Sequence, residues 1–301
     1  MPEVLVVGLA LLAAVFSALG IVIRQRATME VPHDQGVSTA MVSTVLRTPA
    51  WWAGAAVAAA GYAFQALALT WGSLILVQPL LVSSLLFALP MSARLAHRRV
   101  TRSEWAWALV LTVALAVFVL LARVQQGDYR PQLLDWIVVA VVCGPLVLGC
   151  VVIGARSHSR RRALFLAVAV GVLFGVVAVL TKLSAQRLTE GGLAAMLTSP
   201  APYLVVILAV AATFLQQSAF HAGALQTSVP TMLVLEPLVA VLLGVVVLGE
   251  ELKVTGIVAV GLVLAVAAMV ATTIALGRDE GAYEDELEAE LTQHSEAPRG
   301  K

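Results

Sequence analysis

Long apolar stretches separated by short polar breaks run through this chain from its first residues to about position 276. Crossing the hydrocarbon core of a bilayer takes roughly 20 apolar helical residues. Nine stretches reach that length, at about 3–24, 51–70, 72–92, 103–123, 133–155, 162–184, 201–222, 226–248 and 252–276. Inside lipid only a helix or a closed barrel satisfies its own backbone groups, and runs this long predict helices. The expected fold class is all-α, a polytopic transmembrane helical bundle of nine spans. Two further segments, 36–48 and 188–199, are too polar or too short to span and read as interfacial or re-entrant. A crossing by either would add a tenth span.

Tryptophan marks the same boundaries independently. Trp51, Trp52, Trp71, Trp105, Trp107 and Trp136 all fall near an expected span end, where an amphipathic ring meets the headgroups. Composition agrees: 60% of the 301 residues are hydrophobic and 12% are charged. Soluble domains hold about 45–50% apolar and about 25% charged residues, so lipid is the solvent for most of this chain. Cys143 and Cys150 lie in one expected helix, separated by about 10.5 Å of rise. That is too far for a disulfide, and they read as small packed hydrophobes. Residues 1–24 lack a basic n-region and read as a first span rather than a cleaved leader.

Charge sets the expected orientation. Arg24, Arg26, Arg47, Arg94, Arg98, Arg99, Arg102, Arg156, Arg160, Arg161 and Arg162 fall in loops on one face. The other face carries Arg123, Arg130, Lys182, Arg187 and Lys253. The more basic face is expected in the cytoplasm, with the N-terminus outside, the C-terminus inside and the protein multi-pass in the cell membrane. Residues 277–301 are strongly acidic and are expected to form a disordered tail or loose helix.

The chain also repeats itself. At an offset of 151, Pro49 falls on Pro200, Gln65 on Gln216, Gly72 on Gly223 and Pro79 on Pro230. Near the first spans the offset becomes 158, setting Phe16 on Phe174 and Arg24 on Lys182. The chain thus divides into a first repeat (1–123), a linking helix with a basic loop (124–161), a second repeat (162–276) and the tail (277–301). An odd number of crossings separates the copies, so they insert with opposite polarity. Inverted repeats place a binding site near the midplane, where the copies meet.

Candidate chemistry concentrates there. Glu236 is an acid deep inside an expected span, where a charge costs about 2.5–3.5 kcal/mol and marks a functional interior. It reads as a coupling or binding carboxylate, with a protonated packing residue as the alternative. Pro237 frees the carbonyl of Leu233, Pro230 that of Gln226, and Pro79 that of Ile75, beside Gln78. Such helix breaks suit a cavity wall, although simple kinks are equally open for Pro79. Gln65, Gln216 and Gln217 offer amides for a ligand or for bonds across helices. Arg24 and Lys182 end the first helices of the two repeats; both can snorkel, and Lys182 tops the less basic face. Gly171 and Gly175 form a GxxxG close-packing signal. No Walker sequence, HExxH or cysteine/histidine cluster appears, and no enzyme activity, cofactor, resident metal or nucleic-acid partner is expected.

The run from Ala68 to Pro90, followed by Trp105 onward, resembles the repeat of the drug/metabolite transporter superfamily. The run from Gln217 to Glu250 does so too, with its closing Leu-Gly-Glu-Glu and a last helix containing Gly256 and Gly261. The resemblance, to the EamA-like and magnesium-transporter-like branches, implies a helical carrier moving small metabolites, drugs or lipid-linked groups by exchange or proton coupling. Where the magnesium transporters carry a Glu and an Asn, this chain reads Ala60-Gly61-Tyr62-Ala63-Phe64-Gln65. The expected function is a secondary active transporter of small molecules working by alternating access. A flippase for a lipid-linked intermediate, a divalent-cation transporter and a non-transporting scaffold stand as alternatives.

Overall fold

The structure, a computed structural model, describes residues 3–29, 49–95, 100–122, 124–125, 133–220, 225–254 and 256–296. The described chain is helical throughout apart from one two-residue pairing. In order come α1 (Glu3–Met29), α2 (Pro49–Trp71), α3 (Leu74–Leu81), α4 (Ser84–Leu95), α5 (Arg102–Leu121), α6 (Leu133–Arg156), α7 (Ser159–Leu197), α8 (Ala201–Phe220), α9 (Leu225–Leu248) and α10 (Ile257–Glu296). β1 (Val124–Gln125) follows α5 and pairs antiparallel with β2 (Glu251–Leu252), which precedes α10.

Among the described residues, eight helical stretches are long and apolar enough to cross a membrane, α3 and α4 together supplying one of them. The stretch expected at 201–222 is a helix, but its apolar run, Ala201–Gln216, is shorter than the rest. The outer surface is apolar as well as the core: Leu120 is 81% exposed, Leu148 65% and Val263 66%. Several hydroxyls inside the helices turn back on their own backbone. Those of Thr70, Thr112, Thr181 and Thr272 each donate to the carbonyl four residues earlier, which satisfies them among apolar neighbours.

Small residues set which helices touch. Gly20 and Gly61 bring α1 and α2 together, since a Cβ on Gly20 would stand 2.9 Å from the Ala58 nitrogen and one on Gly61 3.0 Å from the Ser17 hydroxyl. The GxxxG of α7 works in the same way against α9: a Cβ on Gly171 or on Gly175 would come within 2.6 Å of Leu235 or Val239. α5 and α10 pack through Leu111, Leu115 and Phe118 on one side and Leu262, Ala265 and Met269 on the other. Because β1 leaves α5 and β2 enters α10, these two packed helices run antiparallel.

Three expectations change in detail. The span at 72–92 is two helices, and its break lies at Val82–Ser83 rather than at Pro79, which stays inside α3. The segment 188–199 is mostly the end of α7, continued past a kink at Gly192. There φ is +69°, a left-handed value that only glycine adopts without strain. The acidic stretch after Gly277 continues α10 as helix to Glu296. The segment 36–48 lies outside the described residues.

Candidate functional site

The first turn of a helix leaves backbone N–H groups without intrahelical partners. In α3 every one of these is accounted for. Ser73 is the N-cap, and its hydroxyl accepts from Leu76 N–H at 3.1 Å while its carbonyl takes Val77 N–H at 3.0 Å. The remaining two donors are met by a carboxylate from far along the chain. Glu250 Oε1 accepts from Leu74 N–H at 2.9 Å, and Oε2 accepts from Ile75 N–H at 3.1 Å. A carboxylate at a helix N-terminus also lies at the positive end of the helix dipole.

Glu250 arrives there because α9 ends on Gly249, whose φ of +64° turns the chain sharply. Its own N–H then returns to the Gly244 carbonyl at 3.1 Å. Gly244 leaves the room needed: a Cβ there would sit 3.0 Å from Glu250 Oε2 and 3.1 Å from Leu74 Cβ. The contact also fixes direction. The start of α3 lies at the end of α9 and the two helices pack, so they run antiparallel.

Lys182, from α7, completes the group. Its ammonium donates to Glu250 Oε1, forming an ion pair in which both side chains are almost wholly buried. Lys182 therefore turns inward instead of snorkelling to the headgroups. A buried carboxylate costs several kcal/mol to desolvate unless its lone pairs are met. Here three donors converge on one group, which holds α3, α7 and the end of α9 together.

Deeper in, the polar groups are not satisfied. Gln78 follows Leu74 by one turn, is 1% exposed, and its Nε2 has no hydrogen-bond partner among the described residues. Counting turns along antiparallel α3 and α9 from the Leu74–Gly244 contact, the break at Val82–Ser83 reaches the level of Glu236. Ser83, 2% exposed, bonds to the Leu80 carbonyl there at 2.6 Å. Glu236 is partly exposed, and among the described residues it has neither a hydrogen-bond nor an ion-pair partner. Its backbone passes against Gly171 of α7.

The other sequence candidates are dispersed. Gln65 is buried on α2, and Gln216 on α8 reaches only the sulfur of Met232, at 3.9 Å. Pro230 and Pro237 both lie inside α9, as Pro79 does inside α3. The side chains of Arg24 and Gln217 lie outside what the structure describes. Among the described residues no group of three or more His, Cys, Asp or Glu side chains is placed to hold a metal ion. Sequence reasoning missed Glu250 as a functional group. Its signal was present: an acid immediately after a glycine at a span end, facing a span that opens on Ser73.

Over 276 residues the chain is 37% identical to an uncharacterized protein of Corynebacterium glutamicum, a match covering 92% of this chain and 96% of that one. No family model and no solved structure matches it.

Proposed function

The chain belongs to one family with that Corynebacterium glutamicum protein, and we propose that it is a secondary active transporter of small molecules in the cell membrane. In this reading, which keeps the likeness to the drug/metabolite transporters, two inverted repeats rock about a midplane site. The observation that carries it is Glu236: a carboxylate within a 24-residue apolar helix, partly accessible and unpartnered among the described residues. A purely structural acid at that depth needs a partner. A coupling acid needs a free one, able to exchange a proton or a cation.

The packing supports two inverted copies. α1 lies on α2 as α7 lies on α8, and α1 meets α3 and α4 as α7 meets α9. The counterparts α3 and α9 cross antiparallel, as do α5 and α10. Opposed polarity of matched helices is what inverted insertion requires. In proteoliposomes with a trapped pH dye, Glu236→Gln is expected to lose substrate-driven proton movement across a metabolite and drug panel. Its melting temperature should stay near the parent's. Coupling equal to the parent's would remove Glu236 from the mechanism.

A second reading, a flippase for a lipid-linked intermediate, is favoured by one feature. A cavity of about 170 Å³ lies between α4 and α5, lined by Leu86, Leu89, Pro90, Trp105, Ala108 and Leu109. Trp105 and Leu109 are exposed on the outer surface, so it opens sideways. Co-purified lipid displaced by a Leu89→Trp substitution would support that reading over a water-soluble substrate.

A further inference from the structure

The Lys182–Glu250 pair and the first turn of α3 tie the first half of the chain to the second at one end of the bundle. We propose that this knot is a gate, closed in the described state and broken when that end of the transport path opens to water. The inference rests on the carrier reading above.

α3 belongs to the first half of the chain; α7 and α9 belong to the second. Any rocking of one half against the other that opens this end must separate Glu250 from Leu74 and Ile75.

The chemistry fits a contact that must be made and unmade. An apolar seal regains nothing when water enters, because its surface was buried at the expense of that contact. An ion pair behaves differently: made dry, it offsets its desolvation with mutual attraction, and separated wet, it recovers the hydration of both charges. Such a contact is nearly balanced between its two states. A permanent staple would be served as well by apolar side chains of the same volume.

Gln78 is the independent observation. It lies one turn inside the knot, sealed, with a donor that none of the described residues satisfies. An unmet buried donor disfavours the state that buries it. Opening this end gives it water or a substrate acceptor, so the closed state holds a polar group that only the open state completes.

The test reads access at position 78 with a membrane-impermeant maleimide, in protein carrying Cys143→Ala, Cys150→Ala and Gln78→Cys. The gate predicts slow labelling in this parent and labelling at least about tenfold faster after Glu250→Gln, which leaves Lys182 without a counter-charge. A second variant adds Leu74→Cys and Gly244→Cys to the same parent. A Cβ at 244 lies 3.1 Å from Leu74 Cβ, close enough for a disulfide after a small adjustment. Oxidation should abolish labelling at 78 and reduction should restore it, a comparison made within one variant, so that any displacement of Glu250 Oε2 by the new Cβ at 244 is common to both arms. Labelling that ignores either the lock or Glu250→Gln overturns the gate. Loss of proton coupling in the Glu236 assay bears on the carrier reading alone, because access is read here without any substrate.

Discussion

Glu250 and Lys182 form a pair whose two members are unequal to the sum of their parts. Removing either one strands the other charge in an apolar interior, at a cost of about 3–5 kcal/mol. Glu250→Gln or Lys182→Met alone should therefore lower the melting temperature sharply in detergent. Lys182→Met with Glu250→Leu should recover most of that loss, since an apolar pair of similar volume has no charge to desolvate. A double variant as unstable as the singles would show that the α3 N–H groups, not Lys182, dominate the role of Glu250. Gly244→Ala tests the space they share. Its methyl would press on Glu250 Oε2 and Leu74 Cβ, and overpacking of that kind costs about 1–3 kcal/mol. At this scale the sequence was half legible. Lys182 stood out because few basic residues share its expected face, whereas Glu250 entered only as part of the closing Leu-Gly-Glu-Glu, with no role of its own. The separation of 68 positions between them is bridged by the packing of α7, α9 and α3, which neither local sequence contains.

Helix boundaries follow from local chemistry, and α3 shows where that chemistry stops being local. Ser73 covers one of its N–H groups, Glu250 two. Ser73→Ala is expected to cost about 0.5–2 kcal/mol, as for other lost N-caps. Amide-resolved hydrogen exchange should then quicken at Leu76 while Leu74 and Ile75 stay protected; Glu250→Gln should give the opposite pattern. Uniform acceleration in both variants would mean that the two caps fail as one unit. By contrast α5 carries its cap within itself: Thr101 Oγ1 accepts from Glu104 N–H at 3.2 Å, and Glu104 Oε2 accepts from Thr101 N–H at 2.7 Å. The apolar runs showed where helices lie because burial in lipid demands length and little else. The break at Val82–Ser83 was not readable, since Pro79 pointed to an earlier one and α3 instead runs on past it, with the Ile75 carbonyl freed, for two more residues.

Across the whole molecule, α3 runs antiparallel to α9 and α5 to α10, and the loops that join the helices can be mapped. β1 pairs with β2, so the chain after α5 and the chain before α10 share a face. Right-side-out vesicles should show Lys253→Cys reacting with an impermeant maleimide at once and Ser157→Cys only after permeabilisation. Labelling of both from the same side would mean that α7, α8 and α9 do not make three crossings. Removal of residues 279–301 should leave any flux intact in a carrier and would cost a scaffold its partner. Prolines and glutamines at a constant spacing were what suggested a repeat, because kinks and amides are distinctive inside apolar spans. The contacts between the two halves of the chain were not visible, being made largely by alanines, glycines and leucines that look alike everywhere. One of those helices extends well beyond its apolar length. α10 is continuous from Ile257 to Glu296, and its last 20 residues extend about 30 Å past the apolar run. A helix of that length acts as a pointer: a tilt of about 10° at its packed base swings the acidic tip by about 5 Å.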